Sequence, residues 1–376
     1  MNYYSTEPTR TILDRLHCPD EKLKIIHIAG TNGKGSTAEF FTNVLICANK
    51  KTGTFTSPLV YTYNDQFRIN GVSLTDEKLN YYFGKAASAA QGVNASQFEI
   101  ETAGIIYAFA EEGCEWAVIE CGMGGLTDAT NAVSHKELAV ITSVSLEHTE
   151  YLGKTIKDIC AHKAGIIKNC PAVVNARQPD EAAEYFKNLG VVFADKNIAD
   201  DFEISARGSL QVYNAATAIV GARLLGFDEI AIREGIKNTK PAGRLETVNI
   251  CGRTYILDGA HNPAAFEPLK DILSERAAED TAIIFGCLSD KDIDGNLKAL
   301  QGLAKRITAV PCPSPRSRSL RETSVACKKY FNNVGMAQSV ECALEAENAQ
   351  TVVVCGSFTL LSEAKQWIEN LTGKRQ

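Results

Sequence analysis

The sequence predicts an α/β protein built on mostly parallel sheets. Short runs of continuously apolar residues alternate with helical stretches, and one such run leads directly into a glycine-rich turn. A strand that is apolar at every position is covered on both faces, as in a parallel sheet between two layers of helices. In the first part of the chain the strands are KIIHIA, WAVIEC and ELAVITSV, and helices are expected from about residue 34 and over 98–112 and 155–168.

This pattern is interrupted at NTKPAGR, residues 238–244, where Pro241 and Gly243 disfavour both helix and strand. It then restarts with five strands that we expect to be separated by helices: RLETVNI, RTYILD, TAIIFG, RITAV and TVVVCG. A chain of 376 residues is long enough for two domains of ~100–200 residues each. We therefore predict a first domain over 1–240 and a smaller, Rossmann-like α/β domain over 241–376.

Composition excludes several classes of protein. The net charge of −6 gives no general attraction for nucleic acid or for anionic membranes. No apolar run approaches the ~18 residues of a membrane span, and the first residues, MNYYSTEPTRTILDRL, lack the apolar stretch of a signal peptide. The twelve cysteines are scattered without a CxxC pair, so we expect reduced, buried thiols. These features predict a cytoplasmic protein that binds neither nucleic acid nor membranes.

The glycine-rich turn, residues 30–37, is the first candidate site. A turn between a strand and a helix directs backbone N–H groups and a helix N-terminus at one point, which suits phosphate. Lys34 would add a charge for the outer phosphates and Ser36 a hydroxyl for magnesium, although Gly35 separates the two and so departs from GxxxxGK[ST]. A purely structural turn is the alternative, but the lysine and hydroxyls favour a P-loop-type ATPase domain. The predicted nucleotide-binding residues here are Thr31, Asn32, Gly33, Lys34, Gly35 and Ser36.

A candidate metal centre follows two later strands. Glu120 ends WAVIEC and precedes the glycine turn 122–125, and His148 follows the strand ITSVSLE in the same way. Ligands of doubly wound folds bind at this carboxyl edge of the sheet. Taken singly, Glu120 could equally cap a helix and His148 could be an ordinary loop histidine. Their shared location favours magnesium ions that neutralise a transferring γ-phosphate.

Ten motifs together resemble the folylpolyglutamate synthase and dihydrofolate synthase family of the Mur ligase superfamily. They are GTNGKGS, FTSP, FRINGVSL, FE at residues 98–99, ECGMGGLTDATN, SLEHTEYLG, HKAGIIK, LQVYNAATA, GRLE and LDGAHNP, in this order between residues 30 and 263. The resemblance extends from about residue 25 to 363. The resemblance implies ATP-dependent, ADP-forming ligation of L-glutamate to the carboxylate of a folate or dihydropteroate. It also implies that the substrate acid attacks the γ-phosphate to give an acyl phosphate, which the amine of glutamate then attacks.

The resemblance implies a role for individual residues. Lys34 and the loop glycines would hold the triphosphate, and Asn214 would bind the adenine. The implied magnesium ligands, for two ions, are Ser57, Glu120, His148 and Lys163. Lys163 would be carbamylated, because an ammonium repels magnesium whereas a carbamate is an anionic oxygen ligand; a surface salt bridge is the alternative for this lysine. From the second domain, Arg244, Asp258 and His261 would contact the phosphates and the incoming amino acid across an interdomain cleft.

The sequence departs from the family mainly on the side of the acid substrate. Leu59 replaces a histidine after Pro58, Glu147 replaces an aspartate, Leu126 replaces an arginine, and the segment between residues 175 and 211 is short. Two other functions therefore stay open. One is a ligase of the same chemistry that acts on a different acid, and the other is an ATP-binding protein that has lost catalysis. We expect a monomer in each case.

Overall fold

The computed structural model describes residues 5–274 and 276–373, and the chain divides into two compact units. The first unit comprises the chain up to Pro58 together with Asn64–Ala206 and Leu210–Lys240. The second comprises Leu59–Tyr63, Arg207–Ser209 and the chain from Pro241 onward. Two short segments of the first part of the chain thus belong to the second unit.

Eight strands form the sheet of the first unit. They are β1 (Lys24–Ala29), β2 (Thr52–Phe55), β3 (Phe67–Ile69), β4 (Val72–Ser73), β5 (Trp116–Glu120), β6 (Leu138–Ile141), β7 (Ala172–Asn175) and β8 (Val192–Ala194). Their order is β4-β3-β2-β5-β1-β6-β7-β8. The strands from β2 to β8 in this order are parallel, and β3 and β4 are antiparallel at one edge. The predicted mostly parallel α/β fold is confirmed.

Helices cover both faces of this sheet. They are α1 (Glu7–Arg15), α2 (Lys34–Cys47), α3 (Asp76–Ala89), α4 (Gln97–Glu111), α5 (Thr149–Leu152), α6 (Ile156–Ala164), α7 (Asp180–Lys187), α8 (Ser209–Leu224) and α9 (Glu229–Asn238). Successive residues of β1 contribute to different cores, because Ile25 packs with residues of α1, α3 and α4, whereas Ile26 packs with residues of α2, α8 and α9. This arrangement explains why apolar residues are consecutive in β1, at Ile25 and Ile26 and again at Ile28 and Ala29, instead of alternating with polar ones.

The helices predicted from residue 34 and over 98–112 correspond to α2 and α4, but the helix predicted over 155–168 is α6, which ends at Ala164. Gly165 follows as the C-cap residue. The carbonyl groups of Gly165 and Ile166 accept hydrogen bonds from the side chains of Asn131 (3.1 Å) and Lys136 (2.8 Å). Side chains from another segment therefore satisfy the carbonyls at this helix end, and the apolar pattern beyond it does not continue the helix.

The second unit is built on a six-stranded sheet. Its strands are β9 (Glu246–Ile250), β10 (Arg253–Leu257), β11 (Thr281–Phe285), β12 (Arg306–Ala309), β13 (Val334–Met336) and β14 (Thr351–Cys355), in the order β13-β12-β11-β14-β10-β9. Its helices are α10 (Glu267–Ser274), α11 (Ile293–Leu300), α12 (Leu320–Cys327), α13 (Val340–Ala346) and α14 (Leu361–Gly373). All neighbours are parallel except β9 and β10.

The expectation that helices separate all strands of this unit is wrong for β9 and β10. These two strands form a hairpin whose turn residues are Cys251 and Gly252. Both turn residues have positive φ, 54° and 76°, and a two-residue turn of this handedness matches the twist of an antiparallel pair. A short local turn thus replaces the crossover that a parallel pair would need.

Two expectations from composition can be compared with the structure. All twelve cysteines are free thiols; seven are buried, but Cys251 and Cys342 are exposed and three others are partly exposed, so the expectation of uniform burial is wrong. Every helix in the described part of the chain falls short of the length and apolar character that a bilayer crossing requires.

Candidate active site

The glycine-rich turn that the sequence predicts to bind phosphate, residues 30–36, is called the phosphate loop below; it connects β1 to α2 and depends on two glycines. Gly33 caps α2 with φ of 94°, and a Cβ atom there would lie 2.5 Å from Oδ1 of Asn214. At Gly30, with φ of 151°, a Cβ atom would lie 1.8 Å from Oγ1 of Thr142. Both positions therefore exclude a side chain, on steric grounds and because L-residues disfavour this backbone conformation.

Residues that follow β6 hold this loop in place. The backbone N–H of Thr31 donates to the carbonyl of Ser143 (2.8 Å), and the Ser143 hydroxyl donates to the carbonyl of Asn32 (3.1 Å). The Thr31 hydroxyl donates to the carbonyl of Ser145 and accepts from its N–H, each at 3.1 Å. The conformation of the phosphate loop thus depends on a segment more than a hundred residues away in sequence.

Lys34, the first residue of α2, has its side chain folded back over the loop. Its Nζ donates to the carbonyls of Gly30 (3.1 Å) and Thr31 (3.2 Å) and lies 3.9 Å from Oε1 of Glu120. The side chain is 15% exposed. A cation in this position, beside the N-terminus of a helix, is placed to bind an anionic group.

Glu120 lies beside both Ser57 and Lys34. Glu120 ends β5 and is buried, with 3% of its surface exposed. Its Oε2 accepts a hydrogen bond from the backbone N–H of Ser57 (3.2 Å). A Cβ atom at Gly35 would lie 3.3 Å from the same oxygen. The carboxylate therefore lies against the start of α2.

Lys163 is completely buried and forms an ion pair with Glu147. Its Nζ lies 2.5 Å from Oε1 of Glu147, and the side chain has 0% exposure. The alternative of a surface salt bridge is therefore wrong. Sequence reasoning treated Glu147 only as a departure from the family, although it is the partner of a predicted metal ligand. The sequence did carry a signal for this pair: the side chain of glutamate is one methylene longer than that of the expected aspartate and can reach a more distant partner.

Lys34 influences the pKa of both members of this pair. Burial lowers the pKa of the Lys163 amine, and Glu147 opposes that change while the charge of Lys34 adds to it. Burial alone would raise the pKa of Glu147, but attraction by Lys163 and Lys34 outweighs it and lowers the pKa to about 2. The two lysines and the two acids, Glu120 and Glu147, therefore form a group of alternating charges in which Lys163 and Glu120 are buried and Lys34 and Glu147 are partly buried.

His148 follows Glu147 and lies at the start of α5. It is exposed and has a left-handed backbone, with φ of 47°. Within residues 5–274 and 276–373, no cluster of three or more histidine, cysteine, aspartate or glutamate side chains is arranged to hold a metal. The structure thus brings Ser57 and Glu120 together and pairs Lys163 with Glu147.

The donor set nevertheless fits magnesium. Mg²⁺ uses one or two carboxylates, retains several waters and prefers oxygen ligands. Glu120 is a buried carboxylate beside the phosphate loop, and hydroxyl groups are available on Ser57 and Ser36. Lys163 also fits a carbamate, because a buried amine with a lowered pKa is more readily neutral and therefore nucleophilic.

Helix α8 packs its first turns against the phosphate loop. Gln211 donates from Nε2 to the Ser36 hydroxyl (3.2 Å) and accepts at Oε1 from Nδ2 of Asn214 (3.2 Å). Asn214, which the resemblance assigns to adenine, is buried with 4% exposure and lies against Gly33. Sequence reasoning missed Gln211, although the spacing of three residues between Gln211 and Asn214 on one helix places both on the same face.

The second unit carries the remaining predicted residues. Asp258 is buried and accepts hydrogen bonds from the N–H groups of Leu245 (2.9 Å) and Ala260 (2.7 Å). Burial raises the pKa of Asp258 to about 6 against the attraction of Arg244. Nδ1 of His261 lies 2.8 Å from the carbonyl of Gly259. The Arg244 guanidinium lies 4.5 Å from the centre of the Phe358 ring.

Comparison with known proteins identifies relatives along almost the whole chain. The family model of the Mur ligase middle domain matches residues 28–205, and that of the Mur ligase glutamate ligase domain matches residues 243–358. The dihydrofolate synthase/folylpolyglutamate synthase of Bacillus subtilis is 32% identical over 404 residues, a match that covers 95% of this chain and 93% of that protein.

Solved structures agree with these matches. The structure of Escherichia coli FolC in complex with DHPP and ADP is similar with a TM-score of 0.87 at 27% identity, covering 100% of this chain and 94% of that one. The bifunctional folylpolyglutamate synthase/dihydrofolate synthase of Yersinia pestis, complexed with AMPPNP and a Mn ion, has a TM-score of 0.85 at 26% identity, covering 98% and 94%.

Proposed function

Since this chain belongs to the Mur ligase family, in its folylpolyglutamate synthase and dihydrofolate synthase branch, we propose that it ligates L-glutamate to a folate or dihydropteroate carboxylate. The enzyme is an ATP-dependent acid–amino acid ligase that forms ADP. Relatives with this name match it at high coverage, and similar structures contain ADP, or AMPPNP with a manganese ion.

The observation that carries the proposal is the arrangement of Lys34 and Glu120. The lysine lies at the N-terminus of α2, and the carboxylate lies 3.9 Å away at the end of a neighbouring parallel strand. Phosphate groups and a divalent cation need these two kinds of group side by side. A module that only binds nucleotide would not require the buried Lys163 and Glu147 pair nearby, so this arrangement favours catalysis over the alternative of a binding protein.

The reaction proceeds in two steps. A carboxylate oxygen of the acid attacks the γ-phosphorus of ATP, the bond to the bridging oxygen breaks, and ADP leaves. The amine of glutamate then attacks the acyl carbon, phosphate leaves with the electron pair of its C–O bond, and the amine loses a proton. Both partners of the first step are anions, so Lys34 and the N-terminus of α2 stabilise charge on the transferring phosphoryl group.

Magnesium is the divalent cation that we assign to this site. Bound magnesium would neutralise phosphate oxygens in the transfer. Ser57, Glu120, His148 and a carbamylated Lys163 would hold two ions. The burial of Lys163 supports the carbamate, because an ammonium without water is unfavourable whereas a carbamate beside a divalent cation is not.

Other assignments extend this proposal. Thr31, Asn32, Gly33, Gly35 and Ser36 belong to the nucleotide site, with Asn214. In the second unit, we assign recognition of the nucleotide and of the amino acid to Arg244, Asp258 and His261. The monomeric state and the cytoplasmic location remain predictions from the sequence, and size-exclusion chromatography with light scattering tests the first.

Phosphate release with glutamate and a panel of acids tests the function. We expect ATP-dependent release with dihydropteroate, with tetrahydrofolate or with both, and a product heavier by one glutamyl group. Release only with an unrelated acid, such as a UDP-muramyl acid, would indicate a ligase for a different substrate. Nucleotide binding without release for any acid would indicate a protein that has lost catalysis.

A further inference from the structure

Gln178 lies three residues beyond the end of β7, and its side chain makes three hydrogen bonds. Its Oε1 accepts from the backbone N–H of Val144 (2.9 Å). Its Nε2 donates to the carbonyls of Thr142 (2.9 Å) and Asn175 (2.9 Å). Both amide hydrogens and one acceptor site are therefore used, and a flipped amide would place its donors against the donor of Val144.

These bonds continue the sheet beyond the point where its backbone pairing ends. The register of β6 with β7 stops at Ile141 and Val174. Beyond it, the Gln178 amide offers residues 142–145 one acceptor and one donor, as a neighbouring strand would. The side chain thus fixes a backbone segment that no longer pairs with β7.

Residues 142–145 are the segment that holds the phosphate loop. The two bonds from Gln178 fall on either side of Ser143, whose carbonyl accepts from Thr31 and whose hydroxyl donates to Asn32. The loop also packs tightly on this segment, since Gly30 has no room for a Cβ atom beside Thr142. A shift of the segment would therefore move the N–H groups of the loop.

We propose that Gln178 is a positioning residue for the phosphate loop and acts through residues 142–145. Gln178 is not a catalytic residue, because its amide is used entirely on backbone groups. The inference rests on the proposed function only in taking the loop at Lys34 as the site of the nucleotide phosphates. Its consequence is selective: loss of the amide weakens nucleotide binding and leaves the other substrates unaffected.

The test compares Gln178→Met with the parent enzyme. Methionine keeps the length of the side chain and removes all three hydrogen bonds. We expect the Kd for ADP, measured by titration calorimetry, and the KM for ATP each to rise about tenfold, which corresponds to one or two lost hydrogen bonds. The KM for glutamate should stay unchanged. Gln97→Met is the matched control, since the Gln97 side chain bonds to Glu101 on its own helix.

A double-mutant cycle tests the route of the effect. Thr31→Val removes the hydroxyl that bonds to Ser145 and should itself weaken ADP binding. If Gln178 acts through this segment, the double variant loses less affinity than the sum of the two single variants. Additive losses would show that Gln178 acts by another route and would overturn the proposal.

Two further outcomes are decisive. A Gln178→Met enzyme that unfolds more easily but binds ADP as the parent does would reduce Gln178 to a stabilising residue and overturn the proposal. Should that variant not fold, Gln178→Asn, which withdraws the amide by one methylene, carries the same expectation. Lys34→Met is measured alongside: if it too leaves ADP binding unchanged, the phosphate loop itself is assigned wrongly, and the proposed function fails rather than this inference alone.

Discussion

The amine of Lys163 lies 2.5 Å from the Glu147 carboxylate, and the lysine side chain has no exposed surface. The two residues are 16 positions apart, on α6 and in the loop before α5. A buried ion pair is costly to form and stabilises a fold only when its geometry is good. Its position beside Lys34, which influences the pKa of both partners, suggests a catalytic use for it.

Replacement of Lys163 should separate a metal-binding carbamate from a structural ion pair. Lys163→Ala is expected to lose activity by roughly a hundredfold or more, because an anionic ligand near the transferring phosphate is removed. A short carboxylate such as acetate should restore part of it. Phosphate release with and without acetate measures both effects, and Lys168→Ala is the control. Full activity of Lys163→Ala without added carboxylate would contradict the carbamate.

Replacement of Lys34 tests the phosphate site. Lys34→Ala is expected to abolish turnover and to weaken ATP binding while the thermal unfolding temperature stays close to that of the parent, since the side chain is not part of an apolar core. Lys50→Ala is a suitable comparison, because Lys50 follows the other end of α2 and pairs with Glu115. Ligation at the parental rate by Lys34→Ala would refute the assignment.

Gly33 should be intolerant of any side chain. Gly33→Ala and Gly92→Ala both place alanine at positive φ, 94° and 76°, which costs about 1–2 kcal/mol of unfolding free energy. At Gly33 alone the new Cβ atom also meets Asn214, at 2.5 Å, whereas at Gly92 it meets nothing within 4 Å. We therefore expect Gly33→Ala to lose more stability and to raise the KM for ATP. Equal behaviour of the two variants in denaturant unfolding and in kinetics would count against this explanation.

His27 should make the first unit sensitive to acid. Its imidazole is completely buried, 2.8 Å from the Thr130 hydroxyl, and burial holds its pKa well below 6.5, helped by Lys136 and Lys168. Below pH ~6.5 the unfolded chain binds a proton that the folded chain does not, so the unfolding free energy should fall as pH falls, by at most about 1.4 kcal/mol per pH unit.

Denaturant unfolding between pH 5 and 8 measures this dependence. His27→Gln, which keeps a polar partner for Thr130, should flatten the profile below pH ~6.5. His135→Gln removes an exposed histidine and serves as the control. A profile of the same steepness in His27→Gln and in the parent would show that other groups cause the acid sensitivity.

The amino-acid sequence alone was sufficient for the features that depend on neighbouring residues. The strand KIIHIA, the glycine turn and the helix from Lys34 follow one another along the chain, and β1 and α2 have the predicted starts. Apolar runs at β5, β11 and β14 identified strands, because a strand covered on both faces is mostly apolar. The family and its chemistry were also predicted from the sequence, through motifs that retain their order.

The tertiary structure alone decided which distant residues meet. Neither the bond from Thr31 to Ser143, nor the amide of Gln178 beside residues 142–145, nor the pair of Lys163 and Glu147 has a local sequence pattern. The same holds for the strand order, and for the end of α6, where Asn131 and Lys136 bind the carbonyls that a longer helix would have used. Periodicity records which face of an element is buried, whereas the partner on that face depends on how the elements pack, and packing is a property of the whole folded unit.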